Sequence, residues 1–157
     1  MPIHERSNMY QRILLAYDGS DSGQRALLDS QELAQWSGSE LTLVAVAHLQ
    51  MDASMELAGL QGGIYASNTM ESDRQQMQAI LDDGLQRLRA AGRAASGVVL
   101  LGDTVDEITQ HARTVSSDLI VVGHKRRSSW TQRWWRGSVS KALIEHSPCS
   151  VLVVVTD

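Results

Sequence analysis

Five short apolar runs alternate with segments of helical spacing, and this alternation limits the possible folds more than any other feature of the sequence. Within each run the apolar residues are not separated by polar ones, as is typical of strands covered on both faces of a sheet. Strand–helix alternation of this kind predicts a parallel sheet with helices on both faces. The strands are predicted at 12–17, 41–47, 97–101, 118–122 and 150–155.

The segments between these runs carry apolar residues at helical spacing. Ser20 or Asp21 is expected to cap the first helix, and Pro148 ends the last one. Thr104 and Glu107 fit a capping box at the start of the third helix, in which each side chain accepts a hydrogen bond from the other residue's backbone N–H. The helices are predicted at 22–36, at 72–91, from 104 onward and at 138–146.

One domain accounts for all of these elements. Right-handed crossovers between parallel strands restrict the topology to doubly wound forms. The sequence has 157 residues and no internal repeat, so we expect a single α/β domain at 11–157, preceded by a flexible extension at 1–10. The segment at 48–70 has three methionines and no clear periodicity, and we interpret it either as a mobile loop or as a lid or interface element.

Composition excludes several classes of function. A net charge of −4 argues against general affinity for nucleic acid or for anionic membranes. A single cysteine, Cys149, excludes an internal disulfide and fits a reducing compartment. The first ten residues do not have the apolar core of a signal peptide, and no apolar run is long enough to span a membrane. We therefore expect a cytoplasmic protein.

The candidate ligand site follows from the predicted sheet. In open α/β sheets, ligands bind beyond the carboxyl ends of the strands, where the winding direction reverses. The connections after the first and fourth strands contain Asp18-Gly19-Ser20 and the residues from Gly123 onward. These two connections are expected to form the binding cleft.

Three segments form a specific combination: RILLAYDGS at 12–20, DEITQHARTVSSDLIVVG at 106–123 and GSVSKALIEHSPCSVLVV at 137–154. Their order and separation resemble those of the universal stress protein family, and the resemblance covers nearly the whole chain. It implies a single-domain, doubly wound, five-stranded parallel sheet in the order 3-2-1-4-5.

The resemblance also implies a ligand and a partner. Many family members bind ATP or another adenine nucleotide, with or without Mg, and other members bind none. The implied partner is a second copy of the chain, which would pair antiparallel through the last strand. The interface residues would be Val151, Leu152, Val153, Val154 and Val155.

The nucleotide motif of the family is only partly present. Nucleotide-binding members have Gly, two residues, Gly, nine residues, and Gly-Ser or Gly-Thr. Here Gly123 and Gly137-Ser138 match, whereas Arg126 replaces the middle glycine and the spacer is one residue longer. If that glycine needs a positive φ, Arg126 costs about 1 kcal/mol or more there.

Cations offer a substitute for the missing glycine. Arg126 keeps a backbone N–H, and guanidinium groups bind phosphate oxygens through paired hydrogen bonds. The alternative is a solvated basic loop without a ligand. The cations in this segment are Lys125, Arg126, Arg127, Arg133 and Arg136.

Each remaining candidate residue has both a functional and a structural interpretation. The resemblance places Asp18 near the adenosine and the backbone of Val46 against the adenine, but Asp18 also suits a turn and Val46 a buried strand. Ser138 suits both a helix cap and a phosphate ligand, and His124 is either a phosphate contact or a loop histidine. The candidate nucleotide-binding residues are Asp18, Gly19, Ser20, Val46, Gly123, His124, Arg126, Gly137, Ser138, Val139 and Ser140.

Three tryptophans follow the fourth strand: Trp130, Trp134 and Trp135. They are expected to pack on their own domain or on a dimer partner. Stacking on single-stranded nucleic acid or insertion at a membrane is disfavoured by the acidic chain. We therefore predict no nucleic-acid and no membrane partner.

Signatures of catalysis are missing from the sequence. There is no Gly-Lys-Ser/Thr of a P-loop and no Gly-x-Ser-x-Gly, and the histidines do not show metal-ligand spacing. Two functions remain, neither of them enzymatic apart from weak ATP hydrolysis. The first is a homodimeric module that responds to a bound adenine nucleotide. The second is a nucleotide-independent dimer that contacts another protein through its Trp/Arg-rich loop.

Overall fold

The fold was analysed in a computed structural model of the chain, which describes residues 9–48, 62–126 and 139–157. It consists of five strands and four helices in these ranges. The strands are β1 (Arg12–Ala16), β2 (Glu40–Ala47), β3 (Ser96–Leu101), β4 (Leu119–Lys125) and β5 (Ser150–Thr156). The helices are α1 (Asp21–Ser37), α2 (Gly62–Ala90), α3 (Thr104–Thr114) and α4 (Val139–His146).

The five strands form one sheet in the order β3-β2-β1-β4-β5, and every neighbouring pair is parallel. Both the predicted strand order and the parallel direction are confirmed. β3 and β5 are the two edges of the sheet.

Each face of the sheet is covered by a separate apolar cluster. On one face, Leu15 and Leu43 pack with Leu27 of α1 and Leu81 of α2. On the other face, Leu14 and Val44 pack with Ile108 of α3 and Leu143 of α4. Consecutive residues of β1 and β2 thus point into different clusters, which explains why these strands are apolar without alternation.

Helix α2 starts earlier than predicted. We expected a helix from residue 72 and irregular structure at 48–70, but α2 begins at Gly62. The two glycines and the weak periodicity at its start concealed the helical part of that segment. Once the packed C-terminal part has formed, each further residue adds a hydrogen bond without a new nucleation cost. Residues 49–61 lie outside the described residues.

The cap of α3 also differs from the prediction. The Oδ1 atom of Asp103 accepts hydrogen bonds from the backbone N–H groups of Val105 and Asp106, at 3.0 and 3.1 Å. Asp103 is therefore the N-cap, and Thr104 is the first helical residue rather than the cap of a Thr104–Glu107 box. Aspartate and threonine both cap helices, so local sequence did not distinguish the two positions.

None of the four helices in the described ranges combines the length and the apolar character that crossing a membrane requires.

Candidate functional site

The candidate cleft lies between β1 and β4, which are neighbours in the sheet. The helix that follows β1 packs on one face, through Ala26 and Leu27, and the helix that follows β4 packs on the opposite face, through Leu143. The winding direction therefore reverses between these two strands. This is the position at which open α/β sheets bind ligands.

The turn after β1 is closed by local hydrogen bonds. Oδ1 of Asp18 accepts from the backbone N–H of Ser20 at 3.0 Å and from its hydroxyl at 2.5 Å. The Ser20 hydroxyl oxygen in turn accepts from the N–H of Gly23 at 3.1 Å. Ser20 is thus the N-cap of α1, and Asp18 fixes the rotamer of the capping hydroxyl. Asp18 therefore has the structural role of a turn residue, which was one of its two interpretations from the sequence.

Gly19 is required in this turn for two reasons. Its φ of +77° lies in the left-handed region that other residues rarely adopt. A Cβ atom at this position would also lie 3.0 Å from Cγ2 of Ile80 on α2. The loop that faces the cleft therefore rests directly on α2.

Gly123 has a packing role that the sequence did not reveal. A Cβ atom on Gly123 would lie 2.3 Å from the carbonyl oxygen of Ser22 and 2.8 Å from the amide nitrogen of Gly23. The first turn of α1 thus packs its backbone directly against β4. Gly123 does not have a positive φ, so its small size, rather than its conformational freedom, is what this position needs. That requirement exists without any bound ligand.

Strand β4 runs further than predicted. We expected it to end at residue 122, with Gly123 and His124 in a loop, but the strand continues to Lys125. His124 lies beside Val155 and Lys125 beside Thr156 in the parallel ladder. The extra length comes from β5, which offers backbone partners to these residues. His124 is therefore a strand residue and not a loop histidine.

Arg126 is held by the same ladder. Its backbone N–H donates to the carbonyl oxygen of Thr156 at 2.7 Å. This N–H, which the sequence interpretation had left available for a phosphate, is already used by the sheet. Arg126 does not have a positive φ, so the expected strain at this position does not arise. Its side chain is exposed, and only its guanidinium can serve an anion.

The start of α4 contributes a second side of the cleft. The hydroxyl of Ser140, which is buried, lies 3.3 Å from Nδ1 of His124. Val139 is the first residue of the helix. The structure therefore brings His124, Val139 and Ser140 together at the end of β4.

Several candidate residues lie outside the described ranges. They are Gly137, Ser138, the cations Arg127, Arg133 and Arg136, and the tryptophans Trp130, Trp134 and Trp135. Their proposed roles in phosphate binding and in packing stay predictions.

Val46 lies near the carboxyl end of β2, with its side chain buried in the cluster formed with α3 and α4. It pairs with Leu100 of β3. This placement agrees with a core strand residue and puts its backbone at the same end of the sheet as Asp18. A contact between this backbone and a ligand stays a prediction.

Tyr17 was not selected from the sequence, although it directly precedes Asp18. Its ring is buried, and a Cβ on Gly84 of α2 would lie 2.6 Å from the ring's Cε1. The hydroxyl is buried without a hydrogen-bond partner among the described residues. Burial raises the pKa of Tyr17, and the charge of Asp83 adds to the increase, whereas Arg87 opposes it.

The charges at the cleft are mixed. Asp18 lies on the β1 side, while Lys125 and Arg126 are exposed on the β4 side. No group of three or more potential metal ligands occurs in the part of the chain that the structure describes.

Comparison with known proteins places this geometry in a known group. Residues 9–155 match the family model described as the Universal stress protein family. The chain is similar to the Universal stress protein YxiE of Bacillus subtilis, with 29% identity over 151 residues that cover 93% of this chain and 99% of that protein.

Solved structures show the same fold. One is a universal stress protein family member from Burkholderia pseudomallei, with 27% identity, a TM-score of 0.69, and coverage of 93% of this chain and 96% of that one. Another is a universal stress protein in complex with cAMP, with 26% identity, a TM-score of 0.66, and coverage of 94% and 98%.

Proposed function

Because the chain belongs to the universal stress protein family, we propose that it is a homodimeric binding module that holds an adenine nucleotide between β1 and β4 and performs no catalytic step. The observation that carries this proposal is the cleft at the reversal of winding, with a fixed carboxylate on one side and exposed cations on the other. A structural relative that is 26% identical was solved in complex with cAMP, which supports an adenine nucleotide as the ligand.

The adenosine is assigned to the β1 side. Oδ1 of Asp18 is occupied by two hydrogen bonds from Ser20, which hold the carboxylate in one orientation. A carboxylate has two acceptor oxygens, so Oδ2 can accept from a ribose hydroxyl without breaking the turn. The orientation is set before binding, which lowers the entropic cost of making the contact.

The phosphates are assigned to the β4 side. The N-terminal end of α4 favours an anion through its dipole and its N–H groups. Lys125 and Arg126 add positive charge at the end of the neighbouring strand. Because the N–H of Arg126 is used by Thr156, Arg126 would bind phosphate through its guanidinium alone. Charge-assisted contacts of this kind contribute about 1.5–3 kcal/mol each.

Two measurements test nucleotide binding directly. Mass spectrometry of the denatured, purified protein should detect an adenine nucleotide carried through purification. Titration of nucleotide-free protein at low salt should give heat with ATP, ADP or AMP, and weaker heat with GTP as the matched control for the base. Absence of heat with every adenine nucleotide at millimolar concentration would reject the proposal.

The homodimer is assigned to β5, the edge strand next to β4. Leu152 and Val155 are exposed by 39% and 47%, although both lie in an apolar strand. Unpaired apolar edges tend to pair with another chain. Leu152→Asp should convert the dimer to monomer, as measured by light scattering. Val115→Asp is the matched control, since Val115 is 37% exposed and lies outside β5. An unchanged dimer mass for Leu152→Asp would contradict the assignment.

One observation favours the second candidate, a dimer that acts through protein contacts without a nucleotide. Gly123 is explained by packing against Ser22, and the N–H of Arg126 is committed to the sheet. Two features of the nucleotide motif thus have structural explanations that need no ligand. Calorimetry separates the two functions, since only the nucleotide-binding module should give a binding isotherm with an adenine nucleotide.

A further inference from the structure

We infer that the two-fold axis of the homodimer passes beside Val153, so that this residue lies opposite its own copy. Leu152 would then face the partner's Val154, and Val151 would face the partner's Val155. The inference rests on the proposed pairing through β5 and specifies its register. It follows from the direction of the backbone groups in β5 and from the side chains that each register brings together.

The hydrogen bond from Arg126 to Thr156 shows which residues of β5 face the open edge. In a strand, the N–H and C=O of one residue point to the same side, and the next residue points to the other side. The carbonyl of Thr156 accepts from Arg126, so Thr156 faces β4. By alternation, Val151, Val153 and Val155 direct their backbone groups to the open edge.

The open edge carries none of the usual features that prevent pairing. Edge strands are commonly protected by proline, by lysine or by a bulge. β5 has neither residue type between Ser150 and Thr156, and it pairs with β4 in unbroken register over its 7 residues. Among the described residues, no segment pairs with the open side of β5. The outward N–H and C=O groups of β5 thus have no strand partner in the described part of the chain, and we assign them to a second copy.

Symmetry restricts the register. A two-fold axis perpendicular to the sheet makes the two copies of β5 antiparallel, with the same surface on both sides of the interface. In an antiparallel pair, directly opposite residues either both direct their backbone groups at the partner strand or both direct them away. The axis must then pass beside a residue and not between two residues. The central candidates are Leu152, Val153 and Val154.

Backbone pairing favours Val153. With the axis beside this residue, Val153 exchanges two hydrogen bonds with its own copy. Val151 exchanges two more with the partner's Val155, and by symmetry the same pair forms on the other side of the axis. All three outward residues are then paired within the limits of the strand. An axis beside Leu152 or Val154 would pair Val155 or Val151 with a residue beyond the strand end.

Side-chain chemistry favours the same axis. When the axis lies beside Val153, every apolar residue of β5 faces an apolar residue of the partner strand, and Ser150 faces the partner's Thr156. An axis at Leu152 would place Ser150 opposite the partner's Val154. An axis at Val154 would place Thr156 opposite the partner's Leu152. Opposite side chains in a sheet interact directly, so these mismatches weaken the other two registers.

Crosslinking of three single-cysteine variants tests the register of the β5 pair. In a Cys149→Ala background, Val153→Cys should form a disulfide with its copy under mild oxidation. Its mass should shift from 17.2 kDa to twice that value on a non-reducing gel. Leu152→Cys and Val154→Cys should each remain uncrosslinked. Opposite Cα atoms lie about 5 Å apart, whereas the diagonal separation of about 7–8 Å exceeds the reach of a disulfide.

A mixture provides the positive control. Leu152→Cys mixed with Val154→Cys should crosslink after subunit exchange, because these positions face each other. Crosslinking of either variant with itself would overturn the register but leave the β5 dimer in place. A dimer in which no variant crosslinks would also overturn the register. A monomeric wild-type mass in solution would reject the proposed homodimer itself.

Hydrogen exchange in the wild-type chain, without any substitution, tests which residues of β5 direct their backbone groups at the partner strand. The amides of Val151, Val153 and Val155 should lose protection together as the protein is diluted below the dissociation constant of the dimer. The amides of Leu152 and Val154 bond to β4 and should keep their protection. Equal loss at all five amides would contradict the assignment of the outward residues.

Discussion

The two segments that form the cleft, the turn at Asp18–Ser20 and the strand end at Gly123–Arg126, are held by different kinds of contact. The turn after β1 is closed by hydrogen bonds between residues two or three positions apart. The end of β4 is set by Ser22 on one side and by Thr156 on the other, both distant in sequence. The hydrogen bonds that close the first segment are therefore local, whereas the contacts that set the second segment are tertiary.

The largest effect is expected at the close approach of α1 and β4. Gly123→Ala places a Cβ against backbone atoms, which cannot move as a side-chain end can. We expect a loss of about 3 kcal/mol in the free energy of unfolding, at the upper end of the range for overpacking. Urea denaturation measures it.

Gly92→Ala is the matched control for this substitution. Gly92 has a φ of +79° and no atom within 4 Å of a built Cβ, so it tests backbone strain without a clash. We expect a loss of about 1 kcal/mol there. Equal losses at the two positions would show that the approach of Ser22 to Gly123 is looser than described.

The next largest effect concerns the exposed guanidinium of Arg126. Arg126→Gln keeps the N–H that binds Thr156 and removes the charge, so it should weaken adenine-nucleotide binding about tenfold or more at low salt. It should also reduce the salt dependence of binding, because exposed charges are screened. Calorimetry at two ionic strengths measures both effects.

Arg89→Gln is the control, since Arg89 is exposed in the last turn of α2 and away from β4. It should leave affinity unchanged. Arg126→Gly separates the alternatives further. If that variant binds a nucleotide that the wild type does not, the arginine closes the site rather than completing it.

A smaller effect is expected at the local turn. Ser20→Ala removes the N-cap of α1 and one partner of Asp18, and should lower the free energy of unfolding by about 1 kcal/mol. Ser72→Ala is the control, because Ser72 is an exposed serine inside α2 without a cap role, and it should not lower the free energy of unfolding. If Ser20→Ala had no effect on stability, the local turn would not be held by the hydrogen bonds described for it.

The smallest effect is expected at Tyr17, which lies between the turn and α2. Tyr17→Phe removes a buried hydroxyl without a described partner and should raise the free energy of unfolding by up to about 1 kcal/mol. The folded pKa of Tyr17 is raised above its ordinary value of 10.0. The folded state therefore keeps this proton more tightly than the unfolded state, and wild-type stability falls as the pH rises above about 10.

Chemical denaturation between neutral pH and pH 11 compares the two proteins. The advantage of Tyr17→Phe should grow at alkaline pH, since the variant has no group to titrate at this position. A constant difference across the range would contradict the buried environment of the hydroxyl.

The strands were predictable because both faces of the sheet are covered, so β1 and β2 are apolar at nearly every position. The strand order came from the resemblance and is confirmed. The start of α2 at Gly62 and the cap at Asp103 were predicted wrongly, because glycine and neighbouring capping residues are compatible with more than one local structure. The structure confirms that β1 and β4 are neighbours where the winding direction reverses, while a ligand site between them and its contacts stay predictions.

The sequence by itself determined the alternation of strands and helices and the turn at Asp18 and Ser20, because these depend on neighbours within a few residues. Only the tertiary structure decided where β4 ends and why residue 123 must be glycine. Both depend on atoms that the fold alone brings together. β5 supplies the carbonyl of Thr156 that extends β4 to Lys125 and commits the N–H of Arg126. The first turn of α1 supplies the backbone that excludes a side chain at Gly123.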